Sequence, residues 1–96
     1  MKVHVHPVDF TVDQKLVDFI QKKLDKLDNF YDRIIEADVH LKLENTSAKE
    51  NKIVEIKIHV PGEVLVVKKQ YKTFEEGIDA SITPLERMLL KYKDKK

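Results

Sequence analysis

The chain contains no cysteine. Disulfides, thiolate nucleophiles and thiolate zinc sites are thereby excluded, and a reducing cytosol becomes the default address. Glycine is nearly as scarce, with only Gly62 and Gly77, too far apart for a loop that cradles phosphate. Serine occurs only at Ser47 and Ser81, neither in the setting of a nucleophile elbow. No stretch approaches the roughly 20 apolar residues that cross a bilayer. The opening run Met1-Lys2-Val3-His4-Val5-His6-Pro7 lacks the apolar centre of a signal peptide. The expectation is a cytoplasmic protein with no membrane partner.

Hydrophobic residues make up 42% and charged residues 36% of the 96. That balance folds and stays soluble, and the length provides for one domain spanning 1–96. Net charge is +1, low for a nucleic-acid binder, whose pI usually exceeds about 9. The average hides an arrangement, however. Between Thr73 and Glu86 the charges are Glu75, Glu76, Asp79 and Glu86, all acidic. Between Arg87 and Lys96 they are Arg87, Lys91, Lys93, Lys95 and Lys96 against Asp94 alone.

Hydrophobic periodicity divides the chain into six elements. Lys2 to His6 alternates, with Val3 and Val5 on one side and His4 and His6 on the other, a half-buried strand that Pro7 should end. Thr11-Val12-Asp13-Gln14 reads as a capping box for a helix over 12–30. The apolar stripe of that helix is Leu16, Ile20, Leu24, Leu27 and Tyr31, flanked by Val17 and Phe19, and its other face carries Lys15, Lys22, Lys23 and Lys26.

Period two returns at Ala37, Val39, Leu41 and Leu43, and again at Val54, Ile56, Ile58 and Val60, with a polar loop over 45–51 between these strands. Pro61-Gly62 suits the centre of a type II turn into a fourth strand, 63–72. Thr73-Phe74-Glu75-Glu76 caps a second helix with the stripe Phe74, Ile78, Ile82, Leu85, Leu89 and Tyr92, and with Arg87, Lys91 and Lys95 opposite. Proline inside a helix costs about 3 kcal/mol, and Thr83-Pro84-Leu85-Glu86 also reads as a fresh helix start. A kink or break near Ile82–Thr83 is therefore predicted.

The fold class is α+β: a βαβββα order, a four-stranded mixed sheet with a parallel first pair, and two helices packed on one face. The opposite sheet face should be open to water.

No catalytic constellation is present, and an enzyme, a cofactor or a small-molecule substrate is not expected. His4, His6, His40 and His59 all fall at outward strand positions. A metal could be assembled from such a cluster, but without a ligand spacing they read as surface residues, and no metal is expected. Lysines late in a helix complement its dipole without any partner. If the helices lie side by side, though, Lys22, Lys23 and Lys26 could merge with Arg87, Lys91, Lys93, Lys95 and Lys96 into one positive ridge that tracks phosphates.

The run Lys22-Lys23-Leu24-Asp25-Lys26-Leu27-Asp28-Asn29-Phe30-Tyr31-Asp32-Arg33-Ile34 resembles the end of the first helix in the ribosome hibernation-promoting factor family, also called ribosome-associated inhibitor A or sigma-54 modulation proteins. Ile78-Asp79 and Leu85-Glu86-Arg87-Met88-Leu89-Leu90-Lys91-Tyr92-Lys93-Asp94-Lys95 resemble its second helix. The resemblance covers nearly the whole chain, in the family's own βαβββα order. It implies binding to the small ribosomal subunit and its ribosomal RNA, in the channel of messenger and transfer RNA, with inhibition of translation on idle ribosomes.

By that resemblance Lys23, Lys26, Arg87, Lys91, Lys93 and Lys95 match basic positions of the family and would contact phosphates, and helix geometry adds Lys22. Pro84 stands where many relatives carry lysine, and Thr73 replaces a frequent aspartate. The chain resembles the family's short form, without a domain that dimerises ribosomes, and is expected to be monomeric off the ribosome. Two other functions fit the same residues: a generic α/β RNA-binding module, and a protein-interaction adaptor of the sigma-54 modulation kind.

Overall fold

The computed structural model describes residues 1–44 and 51–95. The polar loop expected over 45–51 lies outside the described residues except for Asn51, as does Lys96. The elements are β1 (Lys2–Val8), α1 (Gln14–Asp25) with a 3₁₀ turn at Lys26–Asn29, β2 (Glu36–Leu43), β3 (Lys52–Val60), β4 (Glu63–Tyr71) and α2 (Phe74–Asp94). The four strands form one sheet in the order β1-β2-β3-β4. β1 pairs parallel with β2, in the register Val3 to Ala37 and Val5 to Val39. β2–β3 and β3–β4 are antiparallel. This is the expected βαβββα architecture.

One core lies between sheet and helices. Ala37, Val39, Leu41, Val54, Ile56 and Ile58 from the sheet, Ile20, Leu24 and Leu27 from the α1 segment, and Ile78, Leu85 and Leu89 from α2 are fully buried. Leu43, predicted inward, is 42% exposed; it ends β2 beyond the covered part of the sheet. Gly62 takes φ +80 in the β3–β4 turn, as the type II reading requires.

Three local expectations are corrected. Pro7 does not end β1, which continues to Val8; β1 is an edge strand, where a missing N–H costs no ladder bond. Thr11 is not the first helix cap: Asp13 is, its Oδ1 accepting from the Leu16 N–H at 2.9 Å, while Gln14 donates to Asp18 instead of reaching back. Asp9 turns the chain at φ +60, and Phe10 stacks on Phe74 at 5.4 Å. That anchor holds the segment before the cap outside the helix.

The third correction is at Pro84, where a kink or a break was expected. The break does not occur: α2 runs as one helix from Phe74 to Asp94. Leu85, Leu89 and Tyr92, all buried, follow the proline on the stripe begun by Phe74 and Ile78. Each such side chain gains about 1.5–3 kcal/mol from burial, which together outweighs the proline's cost of about 3 kcal/mol. At the other end Thr73 caps as expected, its hydroxyl accepting from the Glu76 N–H at 3.1 Å.

Candidate nucleic-acid interface

Contacts in chain order set the direction of the two helices. Phe10 meets Phe74, Lys23 meets Asp79, and Tyr31 meets Tyr92 edge-on at 5.4 Å. Both sequences ascend together, so α1 and α2 run parallel. This follows from the strand directions, because each helix returns across the sheet after a strand pointing the same way as β2. The last turns of both helices, where backbone carbonyls leave partial negative charge, therefore lie at the same end of the molecule. Lys22, Lys26, Arg87, Lys91, Lys93 and Lys95 are all exposed in this half of the helical layer.

Lys23 behaves differently. Its side chain is 27% exposed, its Nζ lies 2.9 Å from Asp79 Oδ1 and 5.4 Å from the Phe19 ring centroid. It straps one helix to the other rather than standing on the outer face. The α2 cations also divide. Lys91 and Lys95 line a shallow depression with Glu63 and Leu65 of β4, and Lys95 Nζ is 3.9 Å from Glu63 Oε1. Lys93 turns the other way, into a concavity lined by Asp28, Asn29, Phe30, Tyr31 and Asp32. Lys91 and Lys95 thus lie toward β4, Lys93 toward the 3₁₀ turn that follows α1, and Lys23 with Asp79 between the two helices.

α2 sits close on the sheet. A Cβ at Gly77 would meet Val54 Cγ2 at 2.7 Å, so glycine permits this approach. Ser81, fully buried, donates to the Gly77 carbonyl at 2.7 Å, and the Tyr92 hydroxyl donates to the Pro61 carbonyl. The cations are thus carried on a helix pinned at both ends.

The open sheet face is organised by a residue that the sequence did not single out. Asp38 on β2 bonds His6 Nε2 of β1 at 2.8 Å and His59 Nε2 of β3 at 2.7 Å. The His6 hydrogen bond, opposed by burial and reinforced by His59, holds the Asp38 carboxyl below the usual carboxylate range. His4 lies 3.2 Å from Glu36, and His40 stacks on His6 at 4.8 Å. Strand register brings these groups together, and periodicity only placed them on one face. Among the described residues no group of three or more histidine, cysteine or acidic side chains could hold a metal ion.

Residues 3–96 match the family described as sigma 54 modulation protein / S30EA ribosomal protein. A ribosome hibernation promoting factor of Pseudomonas putida is 30% identical over 95 residues, covering 99% of this chain and 89% of the relative. One from Klebsiella oxytoca is 33% identical over 90 residues, covering 94% and 88%. The solved structure of a ribosomal subunit interface protein from Coxiella burnetii superposes with a TM-score of 0.84 at 21% identity, over 98% of this chain and 99% of that one. It shows the same fold. Matched across its length in this way, the chain belongs to the sigma 54 modulation protein / S30EA ribosomal protein family of ribosome hibernation factors, a class that is not enzymatic.

Proposed function

We propose that this protein is a hibernation factor that binds the small ribosomal subunit in the messenger and transfer RNA channel and inhibits translation by occupying it. The observation that carries the reading is the parallel pair of helices, whose shared C-terminal end presents Lys22, Lys26, Arg87, Lys91, Lys93 and Lys95 to solvent. Phosphates neutralised by such cations release counterions, which drives binding without any base being read. Lys23 contributes by fixing the distance between the helices through Asp79. A single copy occupies the channel. The names of the Pseudomonas and Klebsiella relatives support the hibernation role.

Sedimentation of the protein with ribosomes through a gradient tests the reading, together with inhibition of a cell-free translation reaction. Comigration with the small subunit and parallel inhibition are expected. Free duplex RNA that outcompetes ribosomes would point to a generic RNA-binding module. A partner retained after nuclease treatment and at high salt would point to an adaptor.

A further inference from the structure

All four histidines of the chain, His4, His6, His40 and His59, stand on the open face of the sheet. Strand register sets that face out in rows. Lys2, Glu36, His59 and Val64 share one row, and His4, Asp38, Lys57 and Val66 the next. His6, His40, Glu55 and Lys68 form a third. These rows run from the start to the middle of β2, and both helices pack on the other face. Their fixed charges cancel, Lys2, Lys57 and Lys68 against Glu36, Asp38 and Glu55. In the row beyond, Lys42 is followed by Glu44, which accepts from Gln70 at 2.8 Å. At neutral pH the face is therefore balanced, and the histidines decide what it becomes in acid.

The hydrogen bonds on this face fix how the rings are protonated. Asp38, held below the usual carboxylate range, is ionised and only accepts, so Nε2 of His6 and Nε2 of His59 each carry the proton that bonds it. Glu36 orients Nε2 of His4 in the same way at 3.2 Å. In each of these neutral rings Nδ1 is an acceptor, which repels phosphate. A second proton turns that acceptor into a donor and adds a full charge. Histidine is the side chain whose ordinary titration falls between about pH 5 and 8, and charging all four raises the chain from +1 to +5. Only Asp38 and Glu36 stand directly against the four rings, so the protonated cluster is left with positive charge in excess.

We propose that acidification turns the open sheet face into a second RNA-binding surface, one that takes single-stranded RNA with its phosphates on the protonated histidines and its bases on their rings. His4 and His6 are 38% and 46% exposed. His40 stacks on His6 at 4.8 Å, and His4 lies 6.4 Å from His6, so imidazoles follow one another along β1 and across to β2. Unpaired bases stack on aromatic side chains, histidine among them, and an open four-stranded sheet is a platform for them. Val64 and Val66, 46% and 42% exposed, extend its apolar part. Ring faces favour RNA over an acidic peptide, which has nothing to stack, and a single strand over a duplex, whose bases are already stacked. The choice of RNA rests on the reading of the helical face, while the surface itself works apart from those cations, on the opposite side of the molecule.

The test is the anisotropy of a labelled oligouridine titrated with the whole chain, since neither uracil nor the phosphodiester titrates in this range. Affinity should rise at least about tenfold as pH falls from about 7.5 to about 5.5. By linkage that corresponds to about half a proton taken up per chain on binding, which calorimetry in two buffers of different ionisation enthalpy reads without any variant. Salt dependence should steepen by about 0.7 for each histidine that meets a phosphate. The gain should be of the same size in a chain carrying Lys22→Gln, Lys26→Gln, Arg87→Gln and Lys91→Gln. It should shrink in His40→Gln, which leaves the contacts of Asp38 and Glu36 in place, and vanish when all four histidines are glutamine. Equal affinity at the two pH values overturns the proposal, as does binding without proton uptake or a gain that survives the loss of all four histidines. So does an equal gain for duplex RNA or polyglutamate, and a gain lost with the helical cations belongs to the other face. Ribosome binding at neutral pH tests the helical reading separately, because the sheet face is balanced there.

Discussion

The two faces of this molecule use their ionisable groups in opposite ways. On the open sheet face charge is spent internally: Asp38 takes hydrogen bonds from His6 and His59, and Glu36 holds His4. On the helical face only Lys23 is closely tied among the seven candidate residues, through Asp79 at 2.9 Å. The contrast explains how a chain with net charge +1 can present a surface suited to polyanions. What matters for phosphate binding is the number of cations left in water on one side, since each contact releases its own counterions.

The contrast breaks most directly on the helical side. Reversing Lys22, Lys26, Arg87 and Lys91 together to glutamate should weaken ribosome binding by about 100-fold or more and flatten its salt dependence by roughly 0.9 per lost contact. The thermal midpoint should stay within about 4 °C, because the side chains are exposed. Sedimentation over a salt series reads the first effect and calorimetry the second. Reversal of Lys42 and Lys57 on the sheet face is the control, and should matter less. If the helix variants still bind and inhibit like the parent at physiological salt, these cations do not carry the function.

The contrast also requires α2 to keep its phase on the sheet. Gly77→Ala adds a methyl 2.7 Å from Val54 Cγ2, and should destabilise by about 1–3 kcal/mol although alanine is the better helix former. Denaturant unfolding measures it. A neutral result would mean that α2 can lift from β3 without cost.

On the sheet face, Asp38→Asn should cost about 1 kcal/mol at neutral pH, from weakened hydrogen bonds to two imidazoles. The sign of its pH dependence follows from the depressed carboxyl. Stability from Asp38 is fully present above its unfolded value, about 4, and is lost as pH falls through its lower folded value. The gap between parent and variant should therefore close as pH falls below about 4.

A smaller effect separates two neighbouring lysines. Lys23→Glu opposes Asp79 and should lower stability by about 0.5–1 kcal/mol, whereas Lys26→Glu should leave the thermal midpoint unchanged. The smallest effect belongs to the histidines. Replacing His4, His40 and His59 by glutamine should leave ribosome binding within about twofold. Stoichiometric zinc in the tag-free parent, lost in that variant, would overturn this reading of the sheet face.

Much of this was legible before any coordinates. Alternation at Ala37, Val39 and Leu41 and at Val54, Ile56 and Ile58 placed the inner sheet face, and each of those residues is fully buried. The stripe Phe74, Ile78, Leu85 and Leu89 was equally readable, because a helix exposes its period in its own sequence. Thr73 and Gly62 announced their roles because one residue suffices for a cap or a positive φ. Asp13 hid behind Thr11: two cap-forming residues stood in sequence, and the Phe10–Phe74 stack decided between them. At Pro84 the apolar stripe continues as its spacing foretold, but the break does not occur: the proline's local cost is visible in sequence, whereas the burial of Leu85, Leu89 and Tyr92 beyond it is a property of the assembled core.

By itself, the amino-acid order determined which elements form, which side of each is apolar, and how many cations the helices carry. Those are local properties, set by backbone period and side-chain type. Only the tertiary structure decided which of the cations remain in water, that Lys23 reaches Asp79, that one aspartate gathers two histidines from flanking strands, and that α2 passes through its proline. Each of these depends on register and crossing between elements distant in the chain, and packing of the whole core settles such relations where no single segment can.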